Sequence, residues 1–113
     1  MKIRDAIRLL QQQDPEAELR VLNHEFQVHT SAEMLIQDTR SGAFYFRDDV
    51  EYIPYLRDGE YPTEVNEEML AHQREHIAYL KRCAHAQWAA RELVTAEQRL
   101  AALESIAAPE AEE

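Results

Sequence analysis

The feature that most constrains the fold is a stretch of about 45 residues, 64–108, that contains no glycine and no proline. It is rich in Ala, Leu, Glu, Gln and Arg, which are strong helix formers. Thr63 is a suitable N-cap for a helix that begins here, and Asn66 is a competing cap. One straight helix of this length would extend roughly 67 Å, well beyond a compact domain of this size. Its exposed apolar face would therefore need a partner.

The apolar residues of this stretch form two stripes. The first comprises Leu70, Ile77, Leu80, Ala84 and Trp88, and the second, at heptad spacing, comprises Leu93, Ala96, Leu100, Leu103 and Ala107. The step from Trp88 to Leu93 shifts the phase, so either the helix is continuous with two partners or it breaks near residues 89–95. Thr95 and Gln98 would then form a capping box. We favour the continuous helix, with a homodimer interface at Trp88, Leu93, Leu100 and Leu103.

The preceding part of the chain combines a helix with strands. Ile3, Ile7 and Leu10 share one face of an amphipathic helix over residues 2–13, which Pro15 ends by disfavouring helical geometry at Asp14. Alternating apolar residues predict strands at about 19–29, 33–38 and 43–47, with a hairpin turn at residues 39–42. The predicted fold class is α+β: an N-terminal helix, a small antiparallel sheet of about three strands and a long C-terminal helix. The predicted division is a unit over 1–63, the helix over 64–108 and a disordered tail over 109–113.

Charge limits the classes of partner. The chain carries 22 acidic and 12 basic side chains, a net charge of −10. Direct binding to nucleic acid is disfavoured, because such proteins place Lys and Arg on phosphates. An acidic protein is instead attracted to a basic protein surface. Residues 1–13 hold three basic and one acidic side chain, whereas residues 14–63 hold four basic and eleven acidic ones, a net charge of −7.

The opening of the chain carries a resemblance. Residues 1–10 (MKIRDAIRLL), followed by residues 14–19 (DPEAEL), resemble the opening of short phage and bacterial accessory proteins. In those proteins a first helix is followed by an Asp-Pro-Glu-Ala-Glu turn and then a strand. The resemblance covers residues 1–22 and implies a helix–turn–strand unit and a phage or mobile-element origin. It implies no shared function and no site residue.

Tyrosines and carboxylates alternate in and around the predicted acidic loop, residues 47–63. Tyrosine contributes amphipathic contact area, and spaced carboxylates can face Arg and Lys of a partner or imitate a phosphate backbone. The alternative is a solvated loop whose tyrosines pack back on the sheet. The predicted partner-binding residues are Tyr45, Asp48, Asp49, Glu51, Tyr52, Tyr55, Asp58, Glu60 and Tyr61.

A metal site and catalysis are weaker interpretations. His72 and His76 share a helix face at i, i+4, and with Glu75 they match the five-residue H-x-x-E-H string of inverted zinc proteases. Glu68 and Cys83 are the nearest further ligands, but Cys83 lies roughly 10 Å beyond His76 along one helix. The alternative is a pair of solvated histidines. With two glycines and no serine in a nucleophile motif, the sequence indicates no enzyme and no cofactor.

The sequence thus predicts a small acidic protein-binding module in the cytoplasm of a bacterial host cell, without a membrane span or disulfide. The predicted role is a phage or mobile-element inhibitor or adaptor that binds a basic surface of a host protein, such as a nucleic-acid-handling or anti-phage defence complex. Three alternatives stay open: an assembly protein that self-associates through its C-terminal helix, an antitoxin or immunity protein, and a metal protein centred on His72 and His76.

Overall fold

The computed structural model describes residues 1–23 and 25–108, and the chain divides into two compact units with the boundary after Ser31. This boundary differs from the predicted one at residue 63, because the strands that follow Ser31 share their core with the C-terminal helices. The α+β class, with an N-terminal helix, small antiparallel sheets and a long C-terminal helix, is confirmed. The predicted tail, residues 109–113, lies outside the described residues.

The first unit contains helix α1 (Ile3–Gln11) and an antiparallel hairpin of β1 (Arg20–Asn23) and β2 (Val28–Ser31). The single strand predicted at 19–29 is therefore wrong. The Asn23 side chain accepts hydrogen bonds from the backbone amides of Glu25 and Phe26, which turns the chain between the two strands. This side-chain turn overrides the alternating pattern that suggested one long strand.

The second unit contains a three-stranded antiparallel sheet in the order β4-β3-β5. Strands β3 (Met34–Asp38) and β4 (Ala43–Arg47) were predicted, and Gly42, with φ of +80°, forms the turn between them. The predicted loop 47–63 instead contains a 3₁₀ helix (Val50–Tyr55) and strand β5 (Glu60–Pro62). Pro62 is compatible with β5 because this strand lies at the sheet edge, where a missing N–H donor is tolerated.

Residues 64–108 form two helices, α2 (Glu67–Arg82) and α3 (Gln87–Ala107), so the predicted continuous helix is wrong. The break lies at residues 83–86 and not at 89–95, and Ala86 is the N-cap of α3. At the start of α2, the Asn66 side chain caps the helix by accepting from the Met69 amide at 2.9 Å, in place of Thr63. No described helix is both long and apolar enough to cross a membrane.

The two helices pack against each other, and this packing explains the break. Ile77 and Leu80 of α2 are buried against Ala89 and Ala96 of α3. A second cluster joins the sheet and the 3₁₀ helix to the same two helices through Met34, Ile36, Ile53, Leu56, Met69, Leu70 and Leu103. Burying both apolar stripes within one chain gains more than the few helical residues lost at the turn.

The residues of the predicted homodimer interface differ in how far the chain itself covers them. Leu103 is fully buried in the core, and Leu93 and Leu100 are half-buried between α2 and α3. Trp88 is 50% exposed and belongs to neither cluster. Leu103 is therefore closed to a partner, whereas Leu93, Leu100 and Trp88 keep exposed surface, and the homodimer interface stays a prediction.

Candidate functional site

The predicted partner-binding residues divide into an exposed group and a group tied into the fold. Tyr45, Glu60 and Tyr61 lie half-buried in strands β4 and β5 and belong to the second group. The Arg99 guanidinium carbon lies 5.9 Å from the Tyr61 ring centroid. Burial, followed by a hydrogen bond to Glu60, raises the pKa of the Tyr45 hydroxyl. The Glu60 side chain also accepts from the Arg57 amide at 3.0 Å. For these three residues, the structure agrees better with the alternative that they pack on the sheet than with a role in partner binding.

Acidic side chains surround the start of the 3₁₀ helix. Asp49 is its N-cap and accepts from the Glu51 amide at 2.8 Å. A pocket of about 240 Å³ here is lined by Val50 and by the carboxylates of Glu33, Asp48, Asp49, Glu51 and Glu68. We call these five carboxylates the acidic rim. Glu33 and Glu68 were not among the predicted residues; the strand β3 and helix α2 bring them to the loop. A negative potential at this rim follows from its five carboxylates, because none of the described residues that line the pocket is basic.

Two tyrosines are exposed next to this rim. Tyr52 is 48% exposed, and the Arg47 guanidinium carbon lies 4.0 Å from its ring centroid. Tyr55 is 69% exposed, and its ring meets that of His76 edge-on, with 5.4 Å between the ring centroids. Asp58, the remaining predicted residue, is exposed and forms an ion pair with Arg40 at 2.8 Å. Asp58 therefore already has a cationic partner within the chain.

Tyr55 borders a groove that combines the 3₁₀ helix with helix α2. The groove has a volume of about 420 Å³, and we call it the Tyr55 groove. The 3₁₀ helix contributes Glu51, Pro54 and Tyr55, and α2 contributes His72, Glu75, His76 and Tyr79. Sequence reasoning did not connect these two segments. The sequence feature that could have indicated the groove is the spacing of its four α2 residues at i, i+3, i+4 and i+7. This spacing places four polar or aromatic side chains on one helix face.

The histidines of the proposed metal motif lie in this groove. Burial lowers the pKa of His76, whose ring contacts Tyr55. His72 Nε2 lies 4.0 Å from an oxygen of Glu68. Within residues 1–23 and 25–108, no three His, Cys, Asp or Glu side chains are grouped so as to hold a metal ion.

A buried arginine supports the segment that carries the exposed tyrosines. Arg99 of α3 is only 8% exposed and donates hydrogen bonds to the backbone carbonyls of Leu56, Arg57 and Glu60, at 2.8, 3.4 and 3.2 Å. Desolvation lowers its pKa, although the guanidinium remains charged at neutral pH. Its contacts join α3 to the stretch between the 3₁₀ helix and β5, and this connection was not predicted.

The acidic rim, in which Asp48 and Asp49 are half-buried, and the exposed tyrosines offer carboxylates and aromatic faces to a partner. The described residues of the rim and groove include no nucleophile–base pair. Such a surface is suited to contact Lys and Arg side chains. We compared the chain with protein-family models, with curated proteins and with solved structures. None of these comparisons found a match, so the function is inferred from the chain's own residues.

Proposed function

We propose that this protein is a binding module that presents the acidic rim and its neighbouring tyrosines to a basic surface of a partner protein. The observation that carries the proposal is the placement of five carboxylates around one pocket, with exposed Tyr52 and Tyr55 beside it. The net charge of −10 supports it, because such a charge disfavours acidic partners and accelerates encounter with basic ones.

The aromatic side chains add contact area to the charge. Tyrosine and arginine are over-represented among the residues that contribute most to interface affinity. Carboxylates at the rim of an interface mainly raise the association rate and fix how the two proteins align. Both effects weaken as salt screens the charges. The role we propose for the module is inhibition or adaptation of a host protein. The antitoxin and immunity alternatives would use the same surface.

A charge-reversal experiment tests this proposal. In one variant, Asp48→Lys, Asp49→Asn and Glu51→Lys change the net charge by +5 at the rim, and asparagine keeps the helix-capping function. In the control variant, Glu25→Lys, Glu64→Lys and Glu97→Gln make the same change in charge at exposed positions elsewhere. Both are used as tagged baits in bacterial lysates at low and high salt, with captured proteins identified by mass spectrometry.

We expect the wild-type and control baits to capture a basic protein that high salt releases, and the rim variant to lose it. Direct binding of that purified protein should weaken by at least tenfold for the rim variant, since three charge contacts of about 0.5–1 kcal/mol each are removed or reversed. Equal capture by the rim variant and the control would show that the acidic rim does not contact the partner.

A further inference from the structure

The Tyr55 groove carries a more specific inference, which rests on the proposed function and names the chemistry that one part of the surface recognises. We propose that the Tyr55 groove receives an arginine side chain from an extended segment of the partner protein. The planar guanidinium would stack on an exposed tyrosine ring, while the carboxylates of Glu51 and Glu75 accept its N–H groups.

Charge is the first argument for a cationic occupant. Among the described residues that line the groove, Glu51 and Glu75 are acidic and none is lysine or arginine. Both glutamates are exposed, so they can reorient toward a bound side chain. Burial lowers the pKa of His76, which disfavours the charged imidazolium beside Tyr55. The groove therefore favours a positive group over a neutral or acidic one.

The aromatic rings are the second argument, because they favour arginine over lysine. Tyr55 and Tyr79 are 69% and 47% exposed and border the groove. The same chain already uses this pairing at Tyr52, whose ring lies under the Arg47 guanidinium. Within the described residues no guanidinium lies over Tyr55, whereas the Arg82 guanidinium carbon lies 6.0 Å from the Tyr79 ring centroid. Tyr55 is therefore the ring that we expect to receive the partner's arginine. A guanidinium stacks on such a face and forks toward carboxylates, which an ammonium cannot do.

Shape is the third argument. The groove is open to solvent, and a second groove of about 310 Å³ shares Tyr55 and His76 with it. Helix α3 lines this second groove with Glu92, Thr95, Ala96 and the mostly buried Arg99. An open groove beside the exposed Tyr55 ring can accommodate both a side chain and the extended backbone segment that carries it. Small molecules are more often held in closed pockets that bury most of their surface.

The test uses the full chain and three synthetic peptides of alternating serine and glycine that differ at one central residue: arginine, lysine or citrulline. Citrulline has the shape of arginine without its charge. NMR titration to about 5 mM peptide follows the backbone and ring signals of the protein, a range suited to millimolar dissociation constants. We expect the arginine peptide to shift the signals of Tyr55, Glu75 and Tyr79, the lysine peptide to bind more weakly and the citrulline peptide not to bind.

Variants place the binding in the groove. Glu75→Gln and Tyr55→Ala should each raise the dissociation constant of the arginine peptide by roughly two- to fivefold, the value expected for one exposed charge or ring contact. Glu97→Gln removes one charge from an exposed position on α3, and Phe44→Ala removes an exposed ring from β4; both should leave binding unchanged. If Tyr55→Ala disturbs the fold, Glu75→Gln alone decides, because Glu75 is an exposed helical position.

Equal weakening by Glu75→Gln and Glu97→Gln would mean that overall charge alone attracts the peptide and would overturn the groove assignment. Shifts confined to the rim residues that do not line the groove (Glu33, Asp48, Asp49 and Glu68), or no shift with the arginine peptide, would also overturn it. The broader proposal is tested separately, by comparing how much partner protein the rim variant and its control capture. That comparison does not depend on whether an isolated arginine peptide binds. Failure of the groove and failure of the proposed function are therefore distinguishable.

Discussion

Gln73 is a polar side chain in the apolar stripe of α2, between Leu70 and Ile77. It is fully buried, and its Nε2 atom donates to the Ala96 carbonyl of α3 at 2.9 Å. Its Oε1 atom has no hydrogen-bonding partner within the described residues. An unpaired buried acceptor is costly, whereas one amide hydrogen bond to a carbonyl contributes modestly. The unpaired oxygen of Gln73 therefore lowers the stability of the helix pair, whereas its bond to Ala96 favours one alignment of α2 along α3.

We expect Gln73→Met to raise the free energy of unfolding by about 1 kcal/mol, because methionine fills the same space without an unpaired acceptor. Gln73→Ala is the matched comparison. It should lower the free energy of unfolding by about 2 kcal/mol, because it leaves a cavity between α2 and α3. Urea denaturation measures both. A methionine variant less stable than wild type would show that the bond to Ala96 outweighs the unpaired oxygen.

At the scale of elements, the turn between α2 and α3 determines how the C-terminal half is arranged. Ala86 is the N-cap of α3, with extended backbone angles and no side-chain hydrogen bond to the helix. Serine at this position can accept from the Ala89 amide without a change in backbone. The effect of a serine therefore depends on whether residue 86 lies at a helix start or within a continuous helix.

We expect Ala86→Ser to raise the free energy of unfolding by about 1 kcal/mol, as a new N-cap does. Ala90→Ser, at an exposed position inside α3, should lower it by about 0.5 kcal/mol, because serine is the poorer helix former. Thermal denaturation followed by circular dichroism compares the two. If both serines destabilise the protein to the same extent, residue 86 lies inside a helix and the break between α2 and α3 is incorrect.

The elements that sequence reasoning predicted correctly are those with a strong local pattern. Helix α1 follows from the spacing of Ile3, Ile7 and Leu10, and strands β3 and β4 follow from alternation around Gly42. The break after α2 was missed because residues 83–86 contain no Gly or Pro, and only the packing of the two stripes requires it. Strand β5 was missed because its three residues are stabilised by pairing with β3, which no local pattern reveals.

The candidate site was predicted in part for the same reason. The residue types of the loop indicated a carboxylate and tyrosine surface. Asp48, Asp49 and Glu51 line the acidic rim, and Glu51 and Tyr55 line the Tyr55 groove. Contributions from distant segments were not predictable. Glu33, Glu68 and Glu75 reach the site only because the sheet and α2 pack on the 3₁₀ helix.

At the scale of the whole molecule, the two units differ in how they are stabilised. Both clusters of buried apolar residues belong to the second unit. In the first unit, none of the described residues is buried, and Ile3, Ile7 and Leu10 of α1 are each about half exposed. A nine-residue helix and a two-stranded hairpin are marginal in water on their own.

We therefore expect a fragment of residues 32–113 to fold by itself, with a cooperative urea transition and an m-value of about 1–3 kcal/mol/M. A peptide of residues 1–31 should show no cooperative transition under the same conditions. The full chain is the reference for both. A fragment 32–113 without a cooperative transition would contradict this expectation and show that the first unit is needed for the core to form.

The contacts of Arg99 have a consequence for the thermodynamics of recognition. Its three hydrogen bonds hold the backbone between Leu56 and Glu60 in one conformation, directly after the segment that carries Tyr52 and Tyr55. A recognition loop that is ordered before binding loses little conformational entropy when its partner arrives. More of the contact energy then appears as affinity. Although it does not belong to the acidic rim or the Tyr55 groove, the buried Arg99 guanidinium would therefore influence how tightly the exposed tyrosines bind a partner.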